Sequence, residues 1–183
     1  MRIVAGRFKG RRLTAPPGSA TRPTSDRVRE ALFQRLGPLD HQLVLDLFAG
    51  SGALALEALS RGAEHATLVD SAPAAIRAIA TNTAALGLTA EQFAVRRQDA
   101  RAFLRSARAA RHEYDLVLLD PPYRLAAELG RELSPLIAAV LAPGGRVVSE
   151  SDRRMPLDLD PDLPLTDEHR YGDTLIRTHE RTE

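Results

Sequence analysis

The sequence has no cysteine and only one lysine among its 25 basic residues. Without cysteine there is no disulfide framework, no thiolate ligand and no cysteine nucleophile, which removes a whole group of chemistries. The five histidines form no close pair at metal-ligand spacing, so no metal site is expected. No apolar run approaches the roughly 18 residues of a membrane span. The basic opening Met1–Leu13 lacks the apolar core and small-residue cleavage site of a secretory signal, so a soluble cytoplasmic protein, with no membrane partner, is expected. What is present, 44% hydrophobic and 27% charged residues in a chain of 183, suits one compact domain with a modest appendage.

The net charge of +1 is unevenly spread. Residues 1–36 hold nine basic residues (Arg2, Arg7, Lys9, Arg11, Arg12, Arg22, Arg27, Arg29 and Arg35) against Asp26 and Glu30, a net of +7 that leaves −6 for the remainder. A basic arm on a mildly acidic body fits a polyanion-binding appendage beside a small-molecule pocket. A solvated, arginine-rich surface fits the same count.

Ile3, Ala5, Phe8 and Leu13 alternate with basic residues, and Gly6 and Gly10 allow turns, which predicts a short hairpin. Ala15–Ser19 reads as a linker. Thr24 or Ser25 can cap a helix carrying the apolar stripe Val28, Ala31, Leu32 and Leu36, ended by Gly37-Pro38. Residues 1–37 are therefore a basic hairpin-and-helix extension, and 38–183 the main domain.

Beyond residue 38, apolar runs alternate with helical patterns. Strands are expected at Leu43–Phe48, Ala66–Asp70, Phe93–Arg97, Tyr114–Asp120, Gly145–Glu150 and Thr174–His179, with helices near 53–61, 73–86, 100–110 and 125–141. Nearly all-apolar strands such as Leu116–Leu119 suit a sheet covered on both faces, and strand–helix alternation suits parallel crossovers. The fold class is α/β, an open, doubly wound, mostly parallel sheet, with a hairpin at its C-terminal side.

Ligands of such sheets bind outside the carboxyl ends of the strands. Those ends carry Asp46–Gly52, Asp70, Asp99 and Asp120–Tyr123. In Asp46-Leu47-Phe48-Ala49-Gly50-Ser51-Gly52 two glycines stand where a strand turns into a helix, permitting positive φ and close approach of a nucleoside. The third glycine of the dinucleotide fingerprint is missing, because position 55 is alanine. Asp70 lies 24 positions beyond Asp46, near the offset at which an acid accepts from ribose hydroxyls; it can also cap the helix opening at Pro73. Asp99 can accept from an adenine amino group while the Ala100 N–H donates to the ring, or it can cap a helix.

Asp120-Pro121-Pro122-Tyr123 is the sharpest signal. Two prolines fix φ and remove two backbone donors, leaving a stiff loop whose carbonyls are free to accept. A nucleobase amino group is a poor nucleophile because its lone pair is delocalised into the ring. If the Asp120 carboxylate and the Pro121 carbonyl each accept one of its N–H bonds, the nitrogen is held and pushed toward tetrahedral geometry. Tyr123 can stack on the target base.

With these residues the sequence resembles class I S-adenosylmethionine-dependent methyltransferases, which are Rossmann-like with seven strands. More narrowly it resembles the RsmD-type family of bacterial small-subunit ribosomal RNA guanine-N2 methyltransferases. The resemblance spans nearly the whole chain, through Arg2–Gly6, Lys9–Leu13, Arg22–Phe33, Asp46–Gly52, Leu56–Ala63, Leu119–Tyr123 and Tyr171–Thr174. It implies that Arg22, Pro23 and Thr24 close over the cofactor S-adenosylmethionine, that Asp46, Phe48, Ala49, Gly50, Ser51, Gly52 and Asp70 bind its methionine and ribose parts, and that Asp99 and Ala100 meet its adenine. It also makes Arg7, Lys9, Arg11 and Arg12 an RNA-docking arm, and the partner ribosomal RNA within an assembled or assembling small subunit; separately from the resemblance, a monomer is expected. The family often has glutamate where Asp70 stands. The catalytic tetrapeptide is shared with DNA adenine methylases and other amino methyltransferases, so adenine N6 and a protein glutamine are the alternative acceptors.

Overall fold

The computed structural model describes residues 1–17, 25–122 and 126–181, and they form two compact units, Met1–Asp99 and Ala100–Glu183. No helix among the described residues is long and apolar enough to cross a membrane.

In the first unit the chain doubles back at once. The Ile3 N–H donates to the Arg11 carbonyl and the Gly10 N–H to the Ile3 carbonyl, both at 2.9 Å, with an isolated antiparallel bridge between Arg2 and Arg12. Ile3 and Leu13 are buried while Arg7, Lys9, Arg11 and Arg12 face solvent. Helix α1 (Asp26–Leu36) starts at Ser25, whose side chain accepts from the Val28 N–H at 3.3 Å, and ends at Gly37 with φ 72. Its apolar stripe, Val28, Leu32, Phe33 and Leu36, is buried.

Strands β1 (Leu43–Leu47), β2 (His65–Asp70) and β3 (Phe93–Arg97) pair in parallel in the order β3-β2-β1, with Leu43 opposite His65 and Ala66 opposite Phe93. Helices α2 (Ala53–Ser60) and α3 (Pro73–Leu86) connect them. Every residue of α2 from Leu54 to Ser60 is buried. A helix buried all round needs cover on two sides; the sheet lies on one, and the hairpin supplies the other through hydrogen bonds from Val4, Ala5, Arg7 and Phe8.

In the second unit helix α4 (Ala100–Ala109) buries Phe103, Leu104 and Ala107, and β4 (Tyr114–Leu119) runs parallel to β5 (Leu141–Asp152). Helix α5 (Ala126–Ala138) lies between them in sequence. It ends earlier than the helical pattern to residue 141 suggests, because Leu141 is already paired with Tyr114 as a strand residue. Residues 142–145, Ala-Pro-Gly-Gly, then make a bulge before pairing resumes at Arg146 opposite Leu116. Strands β6 (Leu165–Tyr171) and β7 (Thr174–Glu180) form an antiparallel hairpin, β7 pairs with β5, and the order is β4-β5-β7-β6. Gly172, with φ 64, opens the two-residue turn between β6 and β7, where an L side chain is disfavoured. The two units together supply the seven strands of a doubly wound, mostly parallel, Rossmann-like fold.

Candidate active site

The loop after β1 is built from backbone geometry that few residues tolerate. Phe48 has φ 65, Gly50 φ 55 and Gly52 φ 79. A non-glycine residue in the left-handed region is uncommon and marks a position fixed by its surroundings. Here the fixing bonds run from the Ala49 N–H to the Val69 carbonyl at 3.0 Å and from the Gly52 N–H to the Ala49 carbonyl at 2.7 Å. The two glycines serve different ends. A Cβ on Gly52 would lie 2.9 Å from Leu68 Cδ2 and 3.4 Å from Ile79 Cγ1, so its absence lets α2 seat against the sheet. A Cβ on Gly50 would meet nothing nearer than the Phe48 carbonyl at 3.9 Å, which leaves the loop backbone open to a ligand.

Asp70 closes the loop from the neighbouring strand. One carboxylate oxygen accepts from the Gly50 N–H at 2.9 Å and the other from the Ala72 N–H at 2.8 Å. It does not cap α3, whose N-cap is Ala72 without a side-chain bond. A carboxylate has about four acceptor positions, so the half-exposed Asp70 keeps capacity for ribose hydroxyls after these two bonds. The open glycine and this remaining acceptor capacity fit a nucleoside cofactor.

Asp46 has a different place. It is the penultimate residue of β1, only 1% exposed, and its Oδ2 accepts from the Ala55 N–H at 3.1 Å. It thus satisfies an orphan donor in the first turn of α2, whose N-cap is a glycine with no side chain to offer. Burial pushes its pKa up to about 7; the Ala55 bond opposes the rise and the nearby Asp70 charge adds to it. Asp46 therefore tethers the first turn of α2, the helix that follows the loop. Ala49 and Ser51 are also buried, and Asp99 is exposed directly before Ala100, the buried first residue of α4.

In the second unit β4 delivers Leu116–Leu119 to the interior and releases the chain at Asp120, which is half-exposed. Pro121 is buried and Pro122 exposed, so the stiff turn is anchored at one proline and open at the next. Arg22, Pro23, Thr24 and Tyr123 lie outside the described residues.

Sequence reasoning passed over three residues that organise the first unit. Glu57, fully buried, accepts from the Val4 N–H at 2.8 Å, the Ala5 N–H at 3.0 Å and Arg61 Nε at 2.8 Å. Asn82, buried in α3, reaches Thr14 and Ser51. Arg29, counted in the basic arm, is buried and donates to the Arg2 carbonyl at 2.5 Å and to Asp26 at 2.7 Å, while Arg2 itself pairs with Asp26 at 3.1 Å. Arg29 and Arg2 therefore engage the fold's own network through Asp26. A charged residue within the apolar run Leu54–Leu59, and an asparagine inside a helix, were the available signals.

A sheet of this order whose first strand turns through such a loop defines a class I methyltransferase, the class that draws its methyl group from S-adenosylmethionine. The chain belongs to the family described as Conserved hypothetical protein 95, whose model matches residues 1–180. It is 38% identical over 188 aligned positions to YlbH of Bacillus subtilis, named as a candidate rRNA methyltransferase, covering 99% of each chain. It is 33% identical to ribosomal RNA small subunit methyltransferase D of Haemophilus influenzae, covering 98% of this chain and 93% of that one. Among solved structures, the Escherichia coli protein yhhF, described as a candidate methyltransferase, superposes with a TM-score of 0.83 at 35% identity, over 100% of this chain and 98% of that one.

Proposed function

We propose that this protein methylates the exocyclic N2 amino group of a guanine in small-subunit ribosomal RNA, met within an assembled or assembling subunit. The observation that carries the chemistry is the Asp120-Pro121-Pro122 turn released from the buried end of β4. The relatives named for small-subunit rRNA methylation support the substrate.

S-adenosylmethionine supplies an electrophilic sulfonium methyl when bound. Asp70 would accept from the ribose hydroxyls, and Asp46 with the Phe48–Gly52 loop would hold the methionine part. Asp99 and the Ala100 N–H would meet the adenine, and Arg22, Pro23 and Thr24 would close over the cofactor. Asp120 and the Pro121 carbonyl each accept one N–H of the guanine amino group. That localises its lone pair and stabilises the positive charge that grows on nitrogen as the methyl arrives. The methylated nitrogen is acidic and gives its proton to Asp120 or to water. Tyr123 stacks on the guanine. Residues 1–37 dock the RNA through Arg7, Lys9, Arg11 and Arg12, and 38–183 carry the reaction.

The test is nucleoside mass spectrometry of small-subunit rRNA from cells lacking the protein, complemented with wild-type or Asp120→Ala chain. The expected result is loss of one N2-methylguanosine, restored by the wild type, with the variant at least about 100-fold less active, as for loss of a preorganised transition-state partner. An unchanged guanosine profile, or full restoration by Asp120→Ala, overturns the reading.

A further inference from the structure

Asn82 lies in the interior of α3 and is 1% exposed, yet all three hydrogen bonds of its side chain leave that helix. Its Oδ1 accepts from the Thr14 N–H at 2.8 Å, and its Nδ2 donates to the Thr14 carbonyl and to the Ser51 carbonyl, both at 2.9 Å. The amide clasps the backbone of Thr14 as a neighbouring strand would and gives its second N–H to the glycine loop. Both donors are used, so neither bond is exchangeable for another within the side chain. Two further links join the same parts: Ser51 Oγ donates to Met1 Sδ at 3.4 Å, and Arg11 Nη2 donates to the Ala85 carbonyl in the last turn of α3. The base of the basic arm and the loop after β1 therefore share one buried side chain.

We propose that Asn82 is a positioning residue through which cofactor bound at the 48–52 loop and RNA bound on the arm reinforce one another; this rests on the functional reading above. A ligand that orders Ser51 fixes the Nδ2 position and, through the same rigid amide plane, the backbone of Thr14. Ordering one end reduces the freedom the other must lose, and the coupling is reciprocal by linkage. A buried polar group satisfied on every atom also specifies a single arrangement of the segments it joins, because any slippage leaves a donor unpaired in the interior.

The experiment is hydrogen exchange read by mass spectrometry on the full chain, wild type and Asn82→Ala, each alone and with saturating S-adenosylhomocysteine. In the wild type the ligand is expected to protect the peptide covering 46–52 and also to slow exchange across residues 1–14 by about fivefold, the lower range of measured coupling. In Asn82→Ala the 46–52 protection is expected to persist and the arm response to fall below about twofold. An asparagine that served only stability would raise exchange equally with and without ligand, leaving the ratio unchanged. Asn82→Asp is a second variant: it keeps an acceptor for Thr14 but turns a lone pair toward two carbonyls, and it too is expected to lose the response. Protection at 46–52 without any response in the wild-type arm overturns the coupling, whatever the variants do, as does a full arm response in either variant. No protection at 46–52 in the wild type overturns the cofactor reading and the coupling with it.

Discussion

The Asp70 carboxylate accepts the Gly50 N–H at 2.9 Å, so the end of β2 holds the loop that follows β1. The same carboxylate has the acceptor capacity that ribose hydroxyls need. Asp70→Ala is therefore expected to weaken S-adenosylhomocysteine binding by about 10- to 100-fold, the loss of one or two charge-assisted hydrogen bonds. Isothermal titration calorimetry reads this directly, and unchanged affinity would remove Asp70 from the cofactor site.

Asp46 ties the fold's stability to pH. Its carboxyl, raised to about 7 in the fold, holds a proton more tightly there than in the unfolded chain, where it titrates near 3.8. Its favourable contribution is complete below pH 3.8 and is lost as pH rises through 7. Asp46→Asn, neutral at every pH, should flatten that part of the stability profile. Urea unfolding midpoints between pH 4 and 8 for both chains test it; parallel profiles would show that Asp46 ionises without cost.

The basic arm packs against the end of α2 at a glycine. Gly6 has φ 80, and a Cβ there would lie 1.8 Å from the Ser60 carbonyl oxygen, which also accepts the Arg7 N–H at 2.8 Å. Gly6→Ala must push the hairpin off the C-terminal end of α2. Glu57→Ala leaves Val4, Ala5 and Arg61 without their shared acceptor and should cost about 3–5 kcal/mol, as for breaking a buried charge pair. Urea unfolding of both variants measures the loss, and a change under about 1 kcal/mol in Glu57→Ala would mean that the arm contributes nothing to the fold.

Lys9 and Arg12 are the cleaner probes of RNA docking. Arg11 is occupied with the Ala85 carbonyl and Arg7 lies over the Phe8 ring at 4.5 Å, so replacing either also disturbs the hairpin. Lys9→Ala with Arg12→Ala should weaken binding of a small-subunit rRNA transcript and reduce the salt-dependence slope by about 1.4, near 0.7 for each lost phosphate contact on single-stranded RNA. A slope equal to the wild type's would place the RNA elsewhere.

The amino-acid sequence by itself determined the succession of elements, since Leu116–Leu119 suits a doubly covered strand and Pro73–Leu86 carries a helical stripe with glycine beyond it. It also determined where chemistry can occur, because glycines and prolines restrict the backbone locally and leave the same mark whatever surrounds them. Tertiary structure alone decided which way the polar groups face. Asp46 and Asp70 stand at or next to the ends of neighbouring strands, yet one turns inward to Ala55 and the other accepts from Gly50. Arg29 and Arg12 carry the same charge in the same arm, yet one is buried against Asp26 and the other faces solvent. Periodicity reports that a face is covered and charge reports that a residue needs water or a partner. Which distant segment provides the cover or the partner, as Glu57 does for Val4 and Asn82 for Thr14, is settled only when long-range packing brings their atoms within hydrogen-bond reach.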